Sequence, residues 1–287
     1  MSRELPVVLQ RGSIALKNWI TRSYYAGPEI DDAVRVCQRF SRLGVGGTVG
    51  YWPGDEDTPR SLADRYLASI DAIAREGLDC SVSIKAMAMD FDRGLVAEIT
   101  HRAKSAGVGI HYDSRAHELT DRMFELITES ARSHPRIGCT LPGRWQRSLS
   151  DADLAVGLGV NVRVVKGQWT DPDHPDIDPR AGFLAVIDRL VGRARHVAVA
   201  THDPVLAREA LRRLLDADTA CELEQLFGFP TRDTMRIARE FGVRTRFYIP
   251  WGHSWVPYAF RWALKNPRVL WWVARDTMFG RWSYLLK

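Results

Sequence analysis

Ionisable and hydrogen-bonding side chains recur at the downstream ends of short apolar runs in this chain: Lys85, Asp113, Arg163 with Lys166, Thr201 with His202, Glu222 with Glu224, and Tyr248. Cations, carboxylates and a phenol gathered in one place can bind a charged small molecule, hold a proton, and stabilise charge that develops during a reaction. Lys85 lies in SVSIKAMAM, a run with little polar company. A lysine is costly to bury without a partner, so a carboxylate such as Asp113 is its expected counterpart. The stretch YIPWGHSWVPYAFRWALK, residues 248–265, joins an apolar run to an amphipathic one through a glycine turn, and adds His253, Tyr258 and Arg261 to the same end.

These groups converge only if the runs that carry them are parallel strands. Short β-branched or apolar runs start at Gly46, Cys80, Val108, Ile137, Val160, His196, Cys221 and Arg244, and longer segments with helical spacing follow them. That alternation predicts a parallel sheet covered by helices, and eight strands is the closure number of a (βα)8 TIM-type barrel, an α/β fold whose chemistry is done at the C-terminal rim. Thr58-Pro59, Asp178-Pro179 and Asp203-Pro204 each place a capping side chain before a proline suited to a first helical turn. Gly44, Gly77, Gly107 and Gly242 each fall just before a strand, where a left-handed glycine ends a helix. The spacing predicts one domain overall, with residues 1–45 a helical extension over the barrel's bottom or side, including one helix from Pro28 to Leu43, and residues 46–287 the barrel.

The 287 residues suit one such domain, and the net charge of +5 is modest, compatible with anionic ligands or a membrane surface. No nucleic-acid module, GxSxG, GxxxxGK[ST] or GxGxxG is present in the sequence. The four cysteines lack paired metal-ligand spacing, and the histidines near strand ends, His111, His202 and His253, form no HxH pair, so no metal is expected. His202, just before the Asp203 cap, is placed to meet a ligand phosphate at a helix N-terminus. The first residues lack the apolar core of a signal peptide and no run approaches a spanning helix, which leads to the expectation of a reduced, cytoplasmic protein.

The ordered motifs at six strand ends, SIK at 83–85, YD at 112–113, RVVKGQWTD at 163–171, VATHD at 199–203, ELEQLFGF at 222–229 and the YIPWG turn, together resemble the proline dehydrogenase family. That resemblance implies an FAD-dependent barrel that oxidises L-proline to pyrroline-5-carboxylate, with hydride passing to flavin N5 and electrons to a quinone or another acceptor. It implies that Arg163 sits against the flavin ring as a fixed cation, that Ser114, Lys166, Gly167, Gln168, Thr201 and His202 hold FAD, and that Asp113 joins Arg163 in the catalytic set. For the small-molecule amine substrate it implies Lys85 with Asp113 as an ion pair at the floor, Tyr248 packing on the ring and Arg261 as one clamp on the carboxylate, with Tyr258 at the same rim and Trp262, in place of an arginine, adding an apolar wall.

The resemblance has three departures. Where the family carries two adjacent arginines and a glutamate three residues on, this chain reads Arg261, Trp262 and Lys265. Where the family has a flavin-bonding glutamine at the end of the fourth strand, it reads Pro142. Loss of the second arginine and inversion of the acid favour a substrate larger, more apolar or differently charged than proline, or a silent site. A Schiff-base lyase using Lys85 or Lys166 is the reading from another class. Six of the ten tryptophans lie at or beyond Trp251, among Arg268, Arg275, Arg281 and Lys287, a mixture able to grip the inner face of a membrane peripherally.

Overall fold

The computed structural model describes residues 26–252 of the 287-residue chain. Eight parallel strands close a barrel in sequence order: β1 (Gly46–Tyr51), β2 (Cys80–Ile84), β3 (Gly109–Tyr112), β4 (Ile137–Pro142), β5 (Asn161–Val165), β6 (Val197–Ala200), β7 (Cys221–Leu226) and β8 (Arg244–Trp251). Every strand lies on a run expected from sequence, and the (βα)8 architecture is the one expected. β8 pairs with β1 from Gly46↔Arg246 to Tyr51↔Trp251, which seals the barrel.

Seven helices make the crossovers: α2 (Pro59–Arg75), α3 (Arg93–Ala106), α4 (Thr120–Ser133), α5 (Ser148–Leu158), α6 (Pro179–Leu190), α7 (Pro204–Asp216) and α8 (Arg232–Glu240). The capping side chains of Thr58, Asp178 and Asp203 accept backbone N–H groups in the first turns of α2, α6 and α7, and a proline opens each of these helices. The glycine stops also take the expected conformation, with φ of 71°, 59°, 68° and 64° at Gly44, Gly77, Gly107 and Gly242. The helix before the first strand, α1 (Ile30–Ser41), packs on the outer wall at the β1–β8 seam. Phe40 stacks on Phe247 there, with ring centroids 4.5 Å apart.

Parallel barrels commonly fill their interior with branched apolar residues. Here the period-two alternation is turned the other way. Val82 and Ile84, Ile110 and Tyr112, Val162 and Val164, and Phe247 and Ile249 are buried in the core shared with the helices. The alternate positions carry polar side chains: Arg163 bonds to Glu224, Arg246 to Glu222, Ser83 and Tyr248 to Asp113, and His111 to Thr140. Apolar burial in the strand–helix layer stabilises the shell, and an ion network fills the centre.

Candidate active site

Arg163, midway along β5, is 4% exposed and holds two carboxylates. Its Nε and Nη2 donate to the two Glu224 oxygens at 2.7 and 2.8 Å, a bidentate pair across the lumen, and Nη1 donates to Asp113 Oδ1 at 3.1 Å. Asp113 follows β3 and is shared. Ser83 Oγ donates to Oδ1 at 2.7 Å, Tyr248 Oη donates to Oδ2 at 3.1 Å, and Lys85 Nζ lies 3.4 Å from Oδ2. Lys85 is 1% exposed, and its Nζ also donates to the Tyr51 carbonyl at 2.7 Å. The Arg163 guanidinium lies 5.3 Å from the centroid of the Tyr248 ring. Gly50 on β1 makes this crossing possible, since a Cβ there would overlap the Tyr248 hydroxyl.

Burial pulls the Lys85 ammonium below its ordinary value; Asp113 opposes the shift and Arg115 adds to it. Burial alone would push Asp113 up, but Lys85, Arg163 and Ser83 together outweigh it and hold the carboxyl below its usual range. Burial would likewise lower Arg163, but Glu224 and Asp113 more than compensate and keep it charged. Tyr248 is pushed well up, by burial first and then by the Asp113 charge, so it stays a hydroxyl donor. His111, bonded through Nε2 to Thr140 Oγ1 at 3.0 Å, is driven well down by burial and then by Arg163, and is neutral.

No family model matches the chain. Among curated proteins it is similar to proline dehydrogenase of Deinococcus radiodurans, 27% identical over 278 residues, which covers 88% of each chain. It is also similar to proline dehydrogenase 1 of Bacillus subtilis strain 168, 25% identical over 266 residues and 86% of each chain. Over most of its length the chain is thus similar to curated proline dehydrogenases. Among solved structures, proline utilization A from Bdellovibrio bacteriovorus, inactivated by N-propargylglycine, superposes with a TM-score of 0.69 at 16% identity, covering 92% of this chain and 33% of that one. The protein of the same name from Corynebacterium freiburgense gives 0.67 at 16% identity, over 99% of this chain and 35% of that one. The chain thus spans about a third of the length of those structures, and the likeness there is one of fold.

The structure brings together Lys85, Asp113, Arg163 and Tyr248. A second group lies to one side, on the loops after β5 and β6. Lys166 Nζ donates to Asp203 Oδ2 at 3.1 Å, Gly167 turns with φ of 91°, Gln168 follows it, and the Thr201 hydroxyl accepts the Asp203 N–H at 3.2 Å. Ser114 Oγ, next to Asp113, is buried with no hydrogen-bond partner among the described residues. Pro142 ends β4 beside Gly167. Tyr258, Arg261, Trp262, Lys265, His253 and the tryptophan-rich tail lie outside the described residues.

His202 differs from its expected role toward a phosphate. Its Nδ1 bonds to the Pro230 carbonyl and its Nε2 accepts the Leu226 N–H, both at 3.0 Å, so neither ring nitrogen has an N–H left for a ligand. Burial lowers its pKa from 6.5 to about 4, and Lys166 adds to the shift. The unfolded chain therefore binds a proton between those values that the folded one does not. The resulting stability is fully present above 6.5 and is lost as pH falls towards 4. For the His202→Asn variant, the deficit in unfolding free energy relative to wild type is expected to shrink by up to ~3 kcal/mol between pH 7 and pH 4 in urea titrations. A deficit that stays constant would refute the neutral, doubly bonded ring.

Glu222 is a correction of position. Counted with Glu224 at the rim, it lies two residues lower on β7, bonded to Arg246 Nε at 2.7 Å. It lines a cavity of about 230 Å³ at the opposite, N-terminal end of the barrel, with Ser81, Arg136, Asn161 and Arg244. A strand that carries acids at both i and i+2 reads as one rim feature until its end is placed. Glu224 is the residue to which sequence reasoning gave no role, although its inward phase with Arg163 was a usable signal. His117, not singled out from sequence, lies 3.6 Å from Asp171 and 3.5 Å from Asp173, linking the loops after β3 and β5.

Among the described residues no helix is long and apolar enough to cross a membrane.

Proposed function

We propose that the chain binds FAD and oxidises L-proline or a closely related cyclic secondary amine to the imine, with electrons passing on to quinone or another acceptor. The observation that carries this reading is the Lys85–Asp113–Arg163–Glu224 network with Tyr248 inside the barrel, in a chain whose relatives are named proline dehydrogenases. The residues fit a flavin. Ser114 Oγ is a buried polar atom in want of a partner, and Gly167 supplies a side-chain-free turn beside Pro142 in the set that would hold FAD with Lys166, Gln168 and Thr201. The flavin, when bound, supplies the hydride acceptor.

The chain's own groups set the electrostatics. Arg163 cannot rotate while Glu224 grips it bidentately, so it presents a fixed positive charge that needs no rearrangement during the reaction. Tyr248 offers a ring face to the substrate while its hydroxyl is tied to Asp113. The amine must be neutral when the hydride leaves. Asp113, held below the usual carboxylate range and shared by four donors, is a weak base, so it positions Lys85 and Tyr248 and the amine proton leaves to water.

The test is the visible absorption spectrum of protein reconstituted with FAD, recorded anaerobically before and after L-proline. Bleaching of the flavin band is the expected result. A protein that takes up no flavin would end this proposal and return attention to the Schiff-base lyase, which the lowering of Lys85 by burial favours. Against the lyase stands the enclosure of Lys85 Nζ by Tyr51, Tyr248 and Asp113; borohydride trapping of a carbonyl substrate on Lys85 would restore it.

A further inference from the structure

The charges inside the barrel balance, with Lys85, Arg163 and Arg246 set against Asp113, Glu222 and Glu224. Arg115 stands outside that balance. It lies two residues past Asp113, half-buried, on the loop after β3. Among the described residues its guanidinium meets no carboxylate. Its neighbour is the ring of Trp52, 5.5 Å away at the end of β1. Lys85 Nζ lies 5.1 Å from the centroid of the same ring, so two cations converge on one aromatic at the site. Asp113, the nearest acid in sequence, is already taken by Lys85, Arg163, Ser83 and Tyr248.

Two neighbouring cations that share an aromatic but no free carboxylate repel each other, and an anion brought between them relieves the repulsion. Guanidinium is the group best shaped for a carboxylate, because its planar fork donates two parallel hydrogen bonds. The aromatic face beside it suits the apolar ring of a cyclic amino acid.

We propose that Arg115 is a specificity-determining residue that binds the substrate's carboxylate. This rests on the proposed oxidation for the amine, but the carboxylate contact can be measured without turnover. Cyclopentanecarboxylate and its neutral isostere cyclopentanecarboxamide would be titrated calorimetrically into the full-length, FAD-reconstituted protein at about 0.15 M salt. The wild type is expected to bind the carboxylate at least tenfold more tightly than the amide. Arg115→Met should weaken the carboxylate by about tenfold or more, as for other charge-assisted contacts, and leave the amide unchanged, with Arg115→Lys recovering part of the loss. Failure of the wild type to prefer the carboxylate would overturn the assignment. So would equal carboxylate binding by Arg115→Met, or an equal loss of both ligands. Failure of the amine-oxidation reading would appear separately, as a flavin band that proline does not bleach.

Discussion

Replacing Arg163 by methionine is expected to lower the unfolding free energy by about 3–5 kcal/mol at pH 7, the usual cost of leaving buried partners of an ion network uncompensated. Methionine keeps much of the stem volume and removes the guanidinium. Glu224, 3% exposed, then loses both hydrogen bonds from Nε and Nη2, and Asp113 loses one of its two cations. Lys85 still faces Asp113, but no other described cation is paired with Glu224. The measurement is the gap between wild type and variant in urea unfolding at pH 7. A gap below about 1 kcal/mol at pH 7 would mean that water reaches Glu224 readily and that the network is not buried in the energetic sense.

The largest effect on activity is expected from Asp113→Asn. Asn fills almost the same space but removes the charge shared by Lys85 and Arg163, and its amide brings an N–H₂ group against donors from Lys85, Tyr248 and Ser83 or Arg163. The lumen is left with a surplus positive charge, Lys85 is driven further towards its neutral form, and the Tyr248 ring loses the hydroxyl tether that aims it. Proline-dependent bleaching of the flavin in anaerobic stopped flow should slow by about a hundredfold or more, equivalent to ~2.7 kcal/mol of transition-state stabilisation. Slowing of less than about threefold would remove Asp113 from the catalytic set. Wild-type stability supplies a companion check. Because Asp113 is held below the ordinary carboxylate range, its contribution is present above pH ~4 and is lost as pH falls further, and the Asn variant should lack that acid-dependent component.

Both results would bear on an uncommon use of the barrel. With an apolar lumen, ionisable groups would be confined to the rim loops. In this chain, polar side chains continue from the site down to the cavity at the N-terminal end, and the apolar alternation of the strands faces the helices. Fixing charges on strands rather than loops removes much of the freedom they would otherwise lose on binding a ligand, at the cost of requiring every buried charge to be matched.

The amino-acid sequence by itself determined the eight strands, their order and the helix ends. Those depend on local chemistry: β-branched runs such as HVAVAT, proline after a capping Asp or Thr, and glycine at left-handed stops. It also marked Lys85, Asp113, Arg163 and Tyr248 as a set, because inward phase and strand-end position can be counted along a strand. What only the tertiary structure decided are relations between strands distant in sequence. Arg163 and Glu224 are 61 residues apart and meet only because the closed barrel tilts β5 and β7 towards one lumen. The same closure places Glu222 at the opposite end and commits both nitrogens of His202 to backbone groups of the β7–α8 region. It also leaves Arg115 at the site without a carboxylate among the described residues. Charge matching across a lumen depends on distances of a few ångströms, and strand periodicity gives only a residue's phase, never its partner across the barrel.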